Sequence, residues 1–174
     1  NSGKPIWESR ANCTYSISYP NGPRTTPLVD DDRLYTLGAE GHLICFQRES
    51  GSVIWQRQLK DDYQTAAPLW GYSAHPMIDG DKLICIAGGK GSHTVALNKF
   101  NGQEIWRYGT ASEQGYCPVR IIEQAGQRQM LVLSPEWIAS ISPDDGSQHW
   151  VHPYEADNGS IIMTPVVVQN RYLF

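Results

Sequence analysis

Four glycine-led segments carry the polar and aromatic side chains best suited to holding a ligand: Gly22-Pro-Arg24-Thr-Thr26, Gly71-Tyr72-Ser-Ala-His75, Gly115-Tyr116-Cys117 and Gly159-Ser160-Ile-Ile-Met-Thr164. Arg24 offers a planar guanidinium that can clamp a carboxylate through two parallel hydrogen bonds. Tyr72, His75 and Tyr116 offer rings for stacking together with polar atoms, the mixture that concave binding sites use. The competing reading is that Arg24 and His75 pair with nearby backbone and the tyrosines pack. Asp30-Asp31-Asp32 suggests a hard cation, which prefers clustered carboxylates. Its counterparts Asp79-Gly80-Asp81 and Val168-Gln169-Asn170 mark the same tight turn, however, and aspartate favours turns through its own local hydrogen bonds. A solvated turn accounts for all three.

Other reactive side chains form no set. Cys13, Cys45, Cys85 and Cys117 show no CxxC or vicinal pair and no histidine at metal-ligand spacing. Cys45 aligns with Ala96 and Ser140, a position for a small buried residue, where a free thiol behaves as a small hydrophobe. His93, His149 and His152 lack partners at catalytic or metal-ligand spacing. The chain contains no nucleophile elbow, phosphate-cradling loop or paired-carboxylate motif. A net charge of −4 gives no basic footprint for nucleic acid, and no apolar run approaches a membrane span.

The elements that must position these residues are repeated. Gly3-Lys-Pro-Ile-Trp7, Gly51-Ser-Val-Ile-Trp55, Gly102-Gln-Glu-Ile-Trp106 and Gly146-Ser-Gln-His-Trp150 write one phrase four times, the glycines 48, 51 and 44 residues apart. Thr26-Pro27, His75-Pro76, Cys117-Pro118 and Thr164-Pro165 keep time with it, each opening an apolar run, and proline is tolerated at the first residue of a strand. Between these landmarks lie short runs rich in β-formers, bounded by Gly, Asp and Asn. In the first unit they are Pro27-Leu-Val, Leu34-Tyr-Thr-Leu37, His42-Leu-Ile-Cys-Phe46 and Val53-Ile-Trp55-Gln-Arg-Gln-Leu59. Such runs are strands joined by hairpins. No window holds a sustained helical stripe.

Four antiparallel strands per period of about 47 residues make one blade of a β-propeller. The expected fold is therefore all-β, with a blade tail at 1–12, blades at about 22–62, 71–110 and 115–154, and the start of another at 160–174. Three full periods with partial ones at either side fall short of the four to eight blades of a closed ring, so further blades in a longer parent protein are expected. The repeated glycines Gly3, Gly51, Gly102 and Gly146 close each blade. Trp7, Trp55, Trp106 and Trp150 are expected to wedge between neighbouring blades; truncating such a buried ring costs about 3–5 kcal/mol. Trp70 and Trp137 stand outside the repeat. In a propeller the four glycine-led segments converge on one rim of the central channel, where functional groups favour loops on a rigid scaffold.

At these residues the chain resembles the pyrroloquinoline quinone (PQQ)-like β-propeller repeat family. Its repeats carry an ALD-x-x-x-G-x-x-x-W line after a TP-V-x-x-G/D-x-hydrophobic line. The matches are Cys45-Phe46-Gln47 to Gly51 and Trp55, Ala96-Leu97-Asn98 to Gly102 and Trp106, and Ser140-Ile141-Ser142 to Gly146 and Trp150. The segments Gly22-Pro-Arg-Thr-Thr-Pro27 and Leu34-Tyr-Thr-Leu-Gly-Ala-Glu-Gly41 are similar to those of bacterial, planctomycete-type PQQ-binding-like members. The resemblance implies one of two functions. Members similar to the outer-membrane assembly lipoprotein of Gram-negative bacteria use the propeller as a non-catalytic scaffold for other proteins in the periplasm or cell envelope. Quinoprotein dehydrogenases use PQQ with calcium and an aspartate to oxidise alcohols or sugars, commonly beside adjacent cysteines. This chain has no Cys-Cys pair and no evident calcium constellation, which inclines the expectation toward a non-catalytic interaction or ligand-binding scaffold.

Overall fold

The computed structural model describes residues 3–124, 126–168 and 171–173. Gln169 and Asn170, named above at a tight turn, lie outside the described residues. The chain forms three four-stranded antiparallel sheets in simple meander order. The first holds β1 (Leu28–Asp30), β2 (Arg33–Leu37), β3 (His42–Gln47) and β4 (Val53–Gln58). The second holds β5 (Met77–Asp79), β6 (Lys82–Ile86), β7 (Thr94–Asn98) and β8 (Glu104–Tyr108). The third holds β9 (Arg120–Gln124), β10 (Gln127–Leu133), β11 (Trp137–Ile141) and β12 (Gln148–Pro153), and β13 (Val166–Val168) pairs with β14 (Arg171–Leu173) in a hairpin. These are propeller blades.

The chain is not wholly strand. Leu59, expected to end β4, instead opens a short helix α1 (Leu59–Asp62), and the Gln58 side chain accepts from the Lys60 amide at its start. A single 3-10 turn spans Asp157–Gly159.

The hairpin turns follow from local chemistry. Gln47 Oε1 accepts the amides of Glu49 and Ser50 at 2.7 and 2.8 Å, and Asn98 Oδ1 accepts those of Phe100 and Asn101 at 2.9 and 3.2 Å. Each turn leads into a glycine that reaches back to the residue opening it: Gly51 donates to Gln47, Gly102 to Asn98 and Gly146 to Ser142. The outer strand then pairs in one register in all three blades. Cys45 lies opposite Trp55, Ala96 opposite Trp106 and Ser140 opposite Trp150, with a β-bulge immediately after each small residue. All three small residues are fully buried.

The sheets stack face to face. Because successive side chains of a strand point to opposite faces, the middle blade feeds two cores at once. Leu83, Cys85, Val95 and Leu97 pack with Tyr35, Leu37, Leu43 and Cys45 of the first blade. Ile84, Ile86 and Ala96 pack with Met130, Val132, Ala139 and Ile141 of the third. A strand buried on both faces reads as a continuous apolar run, which is what Leu83-Ile-Cys-Ile86 shows.

The tryptophans join blades. Trp7 donates from Nε1 to the Arg48 carbonyl (2.8 Å), Trp55 to that of Lys99 (2.9 Å) and Trp106 to that of Pro143 (3.3 Å). Each acceptor lies in the β3–β4-type turn of the following blade, three residues before its glycine. The rings lie on those glycines: a Cβ added at Gly51, Gly102 or Gly146 would stand 2.5, 2.8 or 2.9 Å from Trp7, Trp55 or Trp106. Gly3 has a positive φ of 67° and open space beside it, and Trp150 is 38% exposed.

Ion pairs join the same turns. Asp30 meets Lys99 at 2.8 Å. Asp79, only 8% exposed, is held by both terminal nitrogens of Arg128 and lies 3.7 Å from Lys82. The Asp79-Gly80-Asp81 turn is therefore not simply solvated, because its first carboxylate is buried against the third blade.

Candidate functional site

An antiparallel meander places its turns alternately at the two ends of the sheet. The β1–β2 and β3–β4 turns and their repeats occupy one end. The β2–β3 loops and the long connections between blades gather at the other, which carries all four glycine-led segments. This connection face is the candidate site.

The connection from β4 to β5 runs through α1 and turns at Pro68, whose carbonyl accepts the Gly71 amide at 2.7 Å. It leaves Leu69 62% exposed and sets Trp70 against Tyr116, ring centroids 5.2 Å apart. Tyr116 belongs to the next connection, 109–119, and its amide donates to the Ile161 carbonyl of the third, 154–165, at 2.8 Å. The Cys117 thiol donates to the Met163 carbonyl at 3.1 Å. Three consecutive connections are thereby laced side by side, and Ile162 and Met163 stand 60% and 64% exposed beside them. A groove of about 460 Å3 lies along the first, lined by Ile17, Ala66, Pro68 and Leu69 with Lys60 and Asp61 at its polar side.

Beneath this apolar rim the polar groups satisfy one another. His93 is fully buried; its Nε2 donates to the Gln114 carbonyl (2.9 Å), Nδ1 faces the Thr94 hydroxyl (3.1 Å), and the ring meets Trp137 edge-on at 4.9 Å. Burial pushes the imidazole pKa down to about 4, so the ring is neutral. The Gln114 amide nitrogen donates to Thr65 Oγ1 and the Ala66 carbonyl at 3.1 and 2.8 Å. This explains the Gly88-Gly89 pair that breaks the repeat: a Cβ at Gly88 would lie 2.4 Å from the Gln114 amide, and one at Gly89 2.4 Å from the Tyr63 carbonyl. Trp137 packs locally, donating to the Thr110 carbonyl at 2.8 Å above Gly109. Glu40, 2% exposed, accepts from the Ser16 hydroxyl at 2.9 Å, from the Ser16 amide and from Lys60. Burial by itself raises its pKa, but the Lys60 and Ser16 hydrogen bonds prevail and hold it below the usual carboxylate range.

The four residues singled out by sequence do not converge. Tyr72 is 2% exposed and donates to the Ala87 carbonyl at 2.9 Å, wedged in the core between the first two blades. Tyr116 is 7% exposed and spends its ring on Trp70. Arg24 donates to the Tyr15 hydroxyl at 3.0 Å and lies over the Tyr19 ring. His75 is exposed. No hydrogen bond or ring contact joins any of the four to another. Sequence reasoning included Ile162 and Met163 only as members of a glycine-led segment and passed over Gln114 and Leu69.

Among the described residues, no three His, Cys, Asp or Glu side chains lie close enough to share a metal ion. The Cys85 and Cys117 thiols, buried and pushed up to about 12, are poor nucleophiles. The face combines an exposed apolar rim with a polar layer in which His93, Gln114 and Glu40 are bonded within the chain and the buried Arg24 Nε has no hydrogen-bond partner.

Blades of this repeat, locked tryptophan to glycine, define a β-propeller of PQQ-like repeats. The chain matches over residues 1–174 the family model described as outer membrane protein assembly factor BamB, and it belongs to that family. Among solved structures it is similar to BamB from Moraxella catarrhalis, with a TM-score of 0.58 and 21% identity over 86% of this chain and 45% of that one. It is also similar to quinohemoprotein alcohol dehydrogenase from Comamonas testosteroni, with a TM-score of 0.53 and 15% identity over 76% of this chain and 21% of that one. A computationally designed protein, Ika8, has a TM-score of 0.55 at 9% identity, over 89% and 43%. The chain thus spans less than half the length of each of these structures, and at such identities the likeness is one of fold. No curated protein matches the sequence.

Proposed function

We propose that this chain is part of a propeller that holds other proteins rather than one that catalyses a reaction, and that it works in the bacterial periplasm or cell envelope. One observation carries the reading. Leu69, Ile162 and Met163 are exposed on the connections that carry the Trp70–Tyr116 pair or bond to it, while the buried His93, Gln114 and Glu40 of the same face are already bonded within the chain. Exposed apolar side chains grouped on one face mark interaction surfaces. The family's description as an assembly factor supports the same reading. A PQQ-dependent dehydrogenase acting on alcohols or sugars is the alternative that the likeness to the quinohemoprotein supports; fold likeness alone does not license an activity.

The test uses the full-length parent protein. It is titrated with PQQ and calcium and assayed for dye reduction with ethanol and glucose. In parallel, a photo-crosslinking residue is placed at Leu69, Met163 or, on the opposite end of the blades, Asp31. The scaffold reading expects no saturable cofactor binding, and discrete protein adducts from Leu69 and Met163 but not from Asp31. Saturable binding with alcohol-dependent dye reduction would establish the dehydrogenase instead.

A further inference from the structure

Three carboxylates border the apolar rim. Glu113, Glu155 and Asp157 are all exposed, and among the described residues none of them forms an ion pair. Glu113 stands beside the aromatic pair: burial raises the Tyr116 hydroxyl pKa and the Glu113 charge raises it further. The same carboxylate lies 3.6 Å from where a Cβ would stand at Gly159, next to Ser160 and Ile161. Asp157 opens the 3-10 turn that ends at that glycine, and Ala156 beside it is anchored by its amide to the Pro135 carbonyl at 2.9 Å. Elsewhere on this face two acids have cations, while Asp61 and Glu136 are exposed and among the described residues form no ion pair. Glu40 is bonded to Lys60, and Asp62 to Arg57 at 2.6 Å. Unmatched negative charge therefore borders the apolar rim, from Asp61 at the groove beside Leu69 to Glu113, Glu155 and Asp157 at the lip formed by the second and third connections.

We infer that this rim takes a protein segment of apolar anchor residues flanked by lysine or arginine, with the anchors against Leu69, Trp70, Ile162 and Met163 and the cations on Glu113, Glu155 and Asp157. The inference rests on the scaffold reading and narrows its partner. Apolar side chains deliver binding energy at the centre of an interface, while charges at its edge select the partner and hasten encounter. A lipid surface is the other occupant that exposed Leu, Ile and Met side chains suit. Anionic headgroups attract basic segments, so a lip of three carboxylates opposes that docking and favours a basic partner.

Fluorescence anisotropy with two labelled synthetic peptides tests this. One has a Leu/Phe centre with Lys at both ends, and the other has Glu in place of Lys. The expected result is saturable binding of the Lys peptide that weakens as salt rises. Leu69→Ser with Met163→Ser should weaken it about tenfold, and Glu113→Gln with Asp157→Asn about fivefold, with a flatter salt dependence. All four side chains are exposed, and the salt series on the unaltered chain reads the charge contribution without any variant. Equal binding of the two peptides would overturn the basic partner and leave the docking rim standing. Binding of neither would overturn both. Flotation of the chain with phosphatidylglycerol vesicles, without binding of the Lys peptide, would overturn it in favour of a lipid surface.

Discussion

The six-membered ring of Trp55 lies over the backbone of Gly102, one blade further along, at a distance no Cβ would tolerate. The indole nitrogen meanwhile donates to the carbonyl of Lys99, three residues before that glycine. One side chain thus closes the gap between two sheets through both an apolar contact and a directed hydrogen bond. Trp7 on Gly51 and Trp106 on Gly146 repeat the arrangement, so the Gly and the Trp of a single phrase serve different neighbours.

Gly102→Ala should destabilise the chain by about 2–4 kcal/mol, since the new methyl meets the ring and the backbone φ is 72°. Trp55→Ala should cost about 3–5 kcal/mol. Residues in contact are not additive, so the double variant should lose clearly less than the sum in urea unfolding. Additive losses would mean that the pair is not one interaction.

Acid should weaken the fold through His93. Its folded pKa, near 4, lies below the ordinary value of 6.5, so the folded chain binds fewer protons than the unfolded one between those values. The associated stability is fully present above about pH 6.5 and is lost as pH falls toward 4, amounting to about 3 kcal/mol. His93→Gln, which keeps a donor for the Gln114 carbonyl, should flatten that part of the stability–pH curve. An unchanged slope would assign it to another group.

The aspartate turns should differ in consequence. Arg128→Ala leaves the buried Asp79 carboxylate with Lys82 alone and should cost about 1–3 kcal/mol. Asp31 is exposed with a φ of 49°, a conformation that glycine adopts freely, so Asp31→Gly should change stability by no more than about 0.5 kcal/mol. Thermal unfolding of the two variants compares them directly.

Thiol labelling should report the fold. Cys13 is exposed, whereas Cys45, Cys85 and Cys117 are buried. One equivalent of an aromatic disulfide reagent should react with the native chain, and the remaining three thiols only after denaturation. Rapid reaction of a second thiol in native buffer would place one of the three at a surface.

The four-strand period was legible because everything that makes a hairpin lies within a few residues. Asn98 bonding the amides of Phe100 and Asn101, and proline at the head of a strand, are visible in any short window. Trp137, Tyr72 and Glu40 were not legible in this way. Each is defined by partners distant in sequence: Trp137 by Gly109 and His93, Tyr72 by Ala87 and Gly41, Glu40 by Ser16 and Lys60. Tyr72 is instructive, because a tyrosine on a glycine-led loop suits a ligand and an inter-blade wedge equally well until its surroundings are known.

What the sequence determined by itself was the repeat, the all-β blade and the small buried position shared by Cys45, Ala96 and Ser140, all consequences of local turn chemistry and two-residue alternation. Tertiary structure alone decided which glycine each tryptophan covers, that Asp79 is buried against Arg128, and that Leu69, Ile162 and Met163 share a rim. These depend on how successive blades face one another. Side-chain alternation determines which residues share a face of a strand, but only the stacking of one sheet on the next determines what that face meets.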